Sequence, residues 1–267
     1  MPELPEVETI KNSLEPLITG KTIIDCQVNL PKLISPADFA KKIKNQTIKR
    51  LKRRGKFLLI FLEKWVIMVH FKLTGQLIFI KNDLSPPPYT HVEFLLSKGR
   101  LFYADLRQFG RLMLWPKKNI NEHPSLKKLG PEPFELDADS FFKILNKSPQ
   151  KIKAFLLDQK KLAGLGNIYV DECLFRAGIH PARPANSLSL TEAQRLLLTI
   201  KETLQDAIKL GGSSVRNYVD GHGKAGQFQK KHLVYGKRGQ PCPQCQKPLL
   251  YAHIASRGTT FCPFCQK

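Results

Sequence analysis

Residues 56–62 read KFLLIFL, and residues 65–73 read WVIMVHFKL. Both segments are short, apolar and rich in β-branched or aromatic side chains, which is typical of β-strands. Residues 56–115 are therefore predicted to form a β-sandwich or a β-barrel, with a helix before the sheet at the N-terminus. Four further segments of the same character complete this pattern, at residues 77–80, 92–97, 100–104 and 111–115.

The pattern changes to helical periodicity from about residue 137, where Phe141, Phe142 and Leu145 are spaced for one helix face. A longer helix is predicted from Thr191, as its N-cap, to Leu210, where two glycines at residues 211–212 end it. The apolar face of this helix comprises Leu196, Leu197, Ile200, Leu204 and Ile208. A domain boundary is predicted near the proline-rich residues 130–133.

Two C-x2-C pairs near the C-terminus, Cys242/Cys245 and Cys262/Cys265, are separated by 16 residues. This spacing predicts one tetrahedral Zn²⁺ site of structural type, because four thiolates leave no position open for a reactive water. Disulfides are the alternative, which an intracellular location disfavours. Two strands are expected between the pairs, with residues 256–258 at the turn and Arg257 at its tip. The other two cysteines, Cys26 and Cys173, are predicted to be buried.

The chain carries 43 Lys and Arg residues against 22 Asp and Glu residues, a formal net charge of +21. Such an excess predicts a polyanionic partner, and nucleic acid is the first candidate. A membrane surface is the alternative, but the sequence has no long apolar run, no lipidation motif and no signal-peptide pattern. We therefore expect a soluble intracellular protein.

The N-terminus reads Met1-Pro2-Glu3. Removal of Met1 would expose a proline amine beside a carboxylate. An α-amine has a pKa of about 7.7–8.0, so an appreciable fraction is uncharged at neutral pH and able to act as a nucleophile. The alternative is that the proline and the acidic residue only begin a helix.

Five motifs in this order resemble the bacterial formamidopyrimidine-DNA glycosylase family, nearly from end to end. They are PELPEVET at residues 2–9, RRGKFL at 53–58, DLRQFG at 105–110, GLGNIY at 164–169, and the four-cysteine hairpin that contains Arg257. The resemblance implies an α+β multidomain fold. An N-terminal β-sandwich with flanking helices would span residues 1–131, a helical helix-two-turn-helix domain 132–231, and a zinc-finger hairpin 232–267.

The resemblance also implies the chemistry. Pro2 would attack C1′ of the damaged nucleotide and form a Schiff base, while Glu3 would supply or accept protons. Strand cleavage by β- and δ-elimination would follow, so the enzyme would be a lyase as well as a glycosylase. Lys56 and Arg257 would contact phosphate. Without the resemblance, a solvated basic strand edge is the better explanation of Lys56.

Excision of a base requires its extrusion from the duplex, and apolar wedges and arginine suit that task. The resemblance implies that Arg107 faces the orphaned base and that Phe109 and Leu73 act as wedges. Leu73 stands where the family usually has methionine, and core packing is the alternative for both apolar residues. Further DNA contacts are implied for His91, Lys151, Lys153 and Asn167, and a mobile lid for residues 220–226.

The implied partner is double-stranded DNA containing oxidised purines, bound by a monomer in the bacterial cytoplasm in association with the nucleoid. One competitor is an endonuclease VIII-like enzyme for oxidised pyrimidines, but such relatives usually begin Pro-Glu-Gly-Pro-Glu, whereas this chain has Leu4. The other competitor is a DNA-binding protein without catalytic activity.

Overall fold

The computed structural model describes residues 1–81, 85–215 and 217–267. The chain divides into two compact units. The first comprises Met1–Lys127 and Ile208–Gln229, and the second comprises Lys128–Ala207 and Lys230–Lys267. The chain first passes from one unit to the other between Lys127 and Lys128, just before the predicted boundary at residues 130–133. The return of residues 208–229 to the first unit had no sequence signal, and the division into three domains stays a prediction.

The first unit is a sandwich of two β-sheets with helices on its periphery. One sheet has four strands in the order β1-β7-β8-β6, and the other has five in the order β2-β9-β5-β4-β3. Among the strand pairs of the described residues, only β2 and β9 run parallel. The strands are β1 (Ile23–Val28), β2 (Ile34–Ser35), β3 (Arg50–Arg54), β4 (Phe57–Phe61), β5 (Trp65–His70), β6 (Gly75–Ile80), β7 (Thr90–Leu96), β8 (Arg100–Asp105) and β9 (Arg111–Pro116). The predicted sandwich is thus confirmed.

The predicted N-terminal helix is α1 (Leu4–Ile18), which contacts β3, β4 and β6. All five residues of β4 are buried, which explains the uninterrupted apolar run KFLLIFL. The core of this unit combines Val7, Ile10 and Leu14 of α1 with apolar residues of both sheets. Two short helices, α2 (Phe39–Ile43) and α3 (Pro124–Lys127), complete the unit.

The second unit contains four helices and a β-hairpin: α4 (Ala138–Asn146), α5 (Ile152–Leu157), α6 (Asn167–Arg176), α7 (Leu190–Lys209, which crosses into the first unit at its last two residues), β10 (Leu250–Ile254) and β11 (Arg257–Phe261).

The prediction that Thr191 caps α7 is wrong. Ser189 Oγ accepts the Glu192 N–H at 3.2 Å, and the Glu192 carboxylate accepts the Ser189 N–H at 2.8 Å. This reciprocal capping box begins the helix two residues earlier.

The turn between β10 and β11 also differs from the prediction by one residue. Ile254 pairs with Arg257, and the residues between them, Ala255 and Ser256, have φ values of 55° and 56°. Two consecutive positive φ values are typical of a type I′ hairpin turn. Arg257 is therefore the first residue of β11.

In the described ranges of the chain, no helix has the length and apolar character needed to cross a lipid bilayer.

Candidate active site

Pro2 and Glu3 lie immediately before α1. Both are buried, with Glu3 only 2% exposed, whereas Met1 is 47% exposed. Glu3 is the N-cap residue of the helix and forms a capping box with Glu6. A carboxylate is favoured at this position because the N-terminal end of a helix carries partial positive charge. The helix thus holds the proline and the acidic side chain in fixed positions.

Glu6 is a further residue of this site, which the sequence analysis did not single out. Its side chain is 1% exposed, and its two carboxylate oxygens accept separate backbone N–H groups, those of Glu3 and Ser213, each at 2.8 Å. One buried carboxylate therefore connects the backbone beside Pro2 to the segment after α7. The three-residue spacing of Glu3 and Glu6 was the signal that could have identified it.

Lys56 lies in the turn between β3 and β4, after Gly55, whose φ is +56°. The strand β3 lies at the edge of its sheet, as the alternative of a solvated basic edge required. Lys56 itself does not fit that alternative, because its side chain is only 7% exposed. The Arg53 guanidinium Nε, just before the turn, donates to Glu8 Oε2 of α1 at 2.7 Å. This ion pair fixes the Lys56 turn to the helix that begins after Pro2.

Burial and two neighbouring lysines lower the pKa of His70 to about 3. Burial contributes most, followed by the positive charges of Lys72 and Lys56. The His70 ring lies edge-on to Phe57, with ring centroids 4.7 Å apart, and Nδ1 accepts the Lys72 N–H at 3.1 Å. The histidine is therefore neutral at physiological pH and adds no positive charge beside Lys56 and Lys72.

Asp105, 1% exposed, organises the two loops that carry the predicted wedges. Oδ1 accepts the Thr74 hydroxyl at 2.5 Å and the Arg107 N–H at 3.2 Å, and Oδ2 accepts the Gly110 N–H at 2.8 Å. Thr74 Oγ1 in turn accepts the Arg107 N–H at 3.0 Å. The loop between β5 and β6 is thereby joined to the loop between β8 and β9.

The predicted wedges lie at the surface. Leu73 is 39% exposed and Phe109 is 49% exposed, so core packing does not account for either. Each follows a non-glycine residue with positive φ, Lys72 at 52° and Gln108 at 57°. Such a conformation is costly for residues other than glycine and is typical of functional loops. The Arg107 guanidinium lies 5.0 Å from the Phe109 ring centroid.

His91, another residue predicted to contact DNA, is half-buried, and its Nε2 lies 3.0 Å from the Asp105 carbonyl oxygen. It therefore lies beside the two wedge loops. Its contact with DNA stays a prediction.

The glycine-rich residues 220–226, predicted to be a mobile lid, are anchored within the first unit. The Gly221 N–H donates to Ser13 Oγ of α1 at 2.8 Å, and its carbonyl accepts the Phe79 N–H of β6 at 2.9 Å. Asp220 closes the loop by accepting the N–H groups of His222 and Lys224, both at 2.9 Å. These bonds hold the loop in the conformation seen in this structure, and its role as a mobile lid stays a prediction.

Asn167 is the first residue of α6 in the second unit, and its side-chain amide donates to the Gly258 carbonyl at 3.0 Å. Arg257, next to this glycine, is exposed. The bond therefore connects the predicted phosphate-binding turn to the hairpin that carries the predicted phosphate clamp.

Lys153 requires a correction. Its side chain is fully buried, and its ammonium donates to Asp171 Oδ1 at 2.6 Å, Thr259 Oγ1 at 2.7 Å and the Gly258 carbonyl at 3.2 Å. The predicted phosphate contact does not fit this environment. Lys153 instead joins α5 and α6 to β11. Lys151 is exposed and precedes α5, so its DNA contact stays a prediction.

The four cysteine Sγ atoms lie within 4.8 Å of one another. The Cys242–Cys265 and Cys245–Cys262 pairs have Sγ separations of 3.8 Å and 3.5 Å. Zn–S distances of about 2.3 Å in a tetrahedron give S···S separations of about 3.8 Å, so the donor set fits zinc. Phe175, Val234 and Leu249 pack around Cys242 and Cys262. Cys26 and Cys173 are buried elsewhere, as predicted.

Glu172 is a second residue that the sequence analysis missed. It is fully buried, and its carboxylate accepts the N–H groups of Leu233, Val234 and Tyr235, each at 2.9 Å. A carboxylate with these bonds fixes the chain that leads into the cysteine hairpin.

Comparison with known proteins gives a consistent assignment. The formamidopyrimidine-DNA glycosylase N-terminal domain family matches residues 1–112, and the formamidopyrimidine-DNA glycosylase H2TH domain family matches residues 129–219. The formamidopyrimidine-DNA glycosylase of Bacillus cereus (strain ZK / E33L) is 45% identical over 274 residues, covering 100% of this chain and 99% of the relative. That of Geobacillus kaustophilus is 44% identical over the full length of both chains.

Solved structures of Lactococcus lactis Fpg are also similar. One is a complex of the wild-type protein with DNA containing N7-benzyl-Fapy-dG, with a TM-score of 0.93 and 38% identity over both complete chains. Another is a complex with DNA containing an abasic site, with the same TM-score and identity over 99% of each chain.

Proposed function

The chain belongs to the formamidopyrimidine-DNA glycosylase family and is a base-excision repair glycosylase with AP lyase activity, and from this premise we propose that Pro2 is its nucleophile and oxidised purines are its substrates. The observation that carries the assignment of Pro2 is its burial beside Glu3 at the N-terminus of α1. Loss of Met1 is required first, because only then is the proline nitrogen an amine and not an amide.

The proposed reaction begins when the uncharged Pro2 nitrogen attacks C1′ of the damaged nucleotide. The bond from C1′ to the base breaks, and the base leaves with a proton. Opening of the sugar ring then gives an iminium ion between Pro2 and C1′. The positive charge acidifies C2′, so loss of a C2′ proton expels the 3′ phosphate, and a second elimination expels the 5′ phosphate.

Glu3 is proposed to move the protons in these steps, because its carboxylate adjoins the nucleophile. Glu6 holds the Glu3 backbone through the 2.8 Å hydrogen bond and acts as a positioning residue. Lys56 and Arg257 are proposed to bind the phosphates that flank the lesion, where their positive charges stabilise the departing anions.

Leu73, Arg107 and Phe109 are proposed to fill the space that the extruded nucleotide leaves. Two exposed apolar side chains and a guanidinium on loops joined by one buried carboxylate suit an insertion into the base stack. The N–H groups at the start of α6 and the Asn167 side chain are proposed to bind phosphate.

One structural Zn²⁺ is proposed for the four cysteines, with no part in the chemical steps. Metal analysis of the purified protein should give one zinc per chain. We further propose that the protein acts in the bacterial cytoplasm on nucleoid DNA and functions as a monomer, since the proposed active site needs residues of one chain only.

The proposal is tested by borohydride trapping on a duplex with one 8-oxoguanine opposite cytosine, with a thymine-glycol duplex in parallel. Mass spectrometry of the protein establishes whether Met1 has been removed. We expect a covalent adduct at Pro2 that forms faster on the oxoguanine duplex. The Pro2→Gly variant should trap less and excise more slowly, with nearly unchanged affinity for the duplex.

Unchanged trapping by Pro2→Gly would refute the assignment of the nucleophile. Preference for thymine glycol would instead indicate pyrimidine specificity. Binding without an adduct, by a chain with a free Pro2, would leave only DNA binding.

A further inference from the structure

An open pocket of about 450 Å³ lies at one end of the five-stranded sheet of the first unit. We call it the Trp65 pocket. It lies where β5 and β9 are paired through Trp65 and Pro116. It is lined by Glu63, Lys64, Trp65, Pro116, Lys117 and Lys118.

The pocket combines an apolar wall with a basic rim. Trp65 packs against the core of the unit with part of its side chain exposed, and the Lys42 ammonium lies 5.0 Å from its ring centroid. Pro116 and the aliphatic parts of the lysine side chains add apolar surface. Tryptophan is enriched among the residues that contribute most to protein–protein binding.

The charge of the rim favours an acidic occupant. The Glu63 carboxylate is paired with the Lys49 ammonium at 3.0 Å, and Lys42 is paired with Asp38 at 2.9 Å. Lys64, Lys117 and Lys118 are exposed and, within the described residues, have no carboxylate in ion-pair distance. These three lysines surround apolar surface with positive charge, which attracts and orients a negatively charged partner.

The pocket lies away from the proposed DNA contacts of this unit. His70 and Phe57 pair at the opposite end of the sheet, beside the Lys56 turn. The five steps from Trp65 to His70 along β5, at about 3.3 Å each, separate its two ends by about 17 Å. A duplex backbone would match the lysines but offers no apolar group to fill the pocket.

We propose that the Trp65 pocket binds an acidic peptide segment of a partner protein. An apolar side chain of the segment packs on Trp65 and Pro116, and its carboxylates face Lys64, Lys117 and Lys118. This interaction recruits the protein and leaves the Lys56 end of the sheet free for DNA. It does not depend on the identity of the nucleophile or of the lesion.

The test uses a labelled peptide, Gly-Asp-Glu-Asp-Leu-Phe-Gly, titrated with the full-length protein and followed by fluorescence anisotropy. We expect saturable binding that persists when the protein is already saturated with an abasic-analogue duplex. Peptides with serine at the two apolar positions, or with lysine at the three acidic ones, should bind at least about tenfold more weakly.

The matched variants are Lys117→Glu/Lys118→Glu at the rim and Lys98→Glu/Lys143→Glu at exposed positions that do not line the pocket, and both pairs change the net charge equally. The rim variant should weaken peptide binding by about tenfold, while the control stays within about twofold of wild type. Trp65→Phe tests the apolar wall, with a thermal melt to show that the variant is folded.

Equal weakening in both double variants would overturn the proposal, because the effect would then be one of net charge alone. Displacement of the peptide by the duplex would overturn it as well. So would a rim variant that loses duplex affinity but keeps peptide binding, because the lysines would then belong to the DNA surface. Absence of saturable peptide binding to the wild-type protein would also overturn the proposal.

Discussion

Glu6 holds the backbone beside Pro2, the proposed nucleophile, through one buried carboxylate. Each oxygen accepts one backbone N–H, from Glu3 and from Ser213. Glutamine at this position has one oxygen and one NH₂ group, so it can accept only one of these bonds and presents a donor to the other N–H.

Glu6→Gln is therefore expected to destabilise the protein by about 1–3 kcal/mol, the cost of leaving a buried donor unsatisfied. It should also slow borohydride trapping, because the backbone next to Pro2 becomes less ordered. Denaturant unfolding and trapping rates measure the two effects. Glu122→Gln, at an exposed position, is the control. A Glu6→Gln protein as stable as the control would contradict the assigned role.

His70 predicts a pH dependence of stability. A histidine in an unfolded chain has a pKa of about 6.5, whereas that of His70 in the folded protein is lowered to about 3. Between these values the unfolded chain binds a proton that the folded protein does not bind. The contribution of neutral His70 to the free energy of unfolding is therefore fully present above pH 6.5 and is lost as the pH falls toward 3.

The free energy of unfolding is expected to fall more steeply from pH 7.5 to pH 5 in wild type than in His70→Asn. Asparagine keeps an acceptor for the Lys72 N–H but does not titrate. Urea unfolding across this pH range measures both slopes, and His222→Asn, at an exposed position, is the histidine-to-asparagine control. Parallel curves for wild type and His70→Asn would show that His70 titrates normally.

At the scale of elements, Asp105 determines the shape of both wedge loops, since Thr74, Arg107 and Gly110 all donate to it. Asp105→Asn replaces one acceptor oxygen with a donor. We expect excision from an 8-oxoguanine duplex to slow by about tenfold, the equivalent of one disrupted buried hydrogen bond.

Trapping on a preformed abasic site should decline less in Asp105→Asn, because no base has to be displaced there. Single-turnover rates on the two substrates separate these effects. Asp206→Asn, on the exposed side of α7, serves as the control. An equal loss on both substrates would mean that Asp105 supports the general fold and not the wedge loops.

Elements with strong local patterns were predictable, and those that depend on distant contacts were not. The local sequence alone predicted β4 and β5, from their apolar runs, and the cysteine cluster, from its two C-x2-C pairs. In contrast, β2 has two residues and exists through its parallel pairing with β9. Residues 249–262 predicted a hairpin, but the positive φ of Ala255 and Ser256 had no glycine or asparagine to signal it.

Site residues followed the same rule. The roles of Pro2, Glu3, Leu73 and Phe109 were predicted from motifs, whereas Glu172 and one of the two bonds of Glu6 involve backbone groups more than 60 residues away in sequence. A phosphate contact was predicted for Lys153 from the resemblance and from its position upstream of the turn at residues 164–167. Its burial follows from Asp171 and Thr259, which lie 18 and 106 residues from it along the chain.

At the scale of the whole molecule, the net charge of +21 predicts that duplex affinity falls steeply with salt. Each phosphate neutralised by the protein contributes about −0.9 to the slope of log K against log salt concentration. The slope therefore counts ionic contacts. It can distinguish lysines that bind DNA from lysines that only add to the charge.

Lys151 and Lys153 make this distinction concrete, because they are two residues apart and only Lys151 is exposed. Lys151→Ala should reduce the steepness of the salt dependence by about 0.9, the value for one lost phosphate contact. Lys98→Ala, at the turn between β7 and β8, should leave the slope unchanged. Lys153→Met should lower the melting temperature instead, because it leaves Asp171 buried without its cation. A reduced slope for a folded Lys153→Met protein, with an unchanged slope for Lys151→Ala, would reverse the two assignments and show that the buried ammonium is released to bind phosphate in the complex.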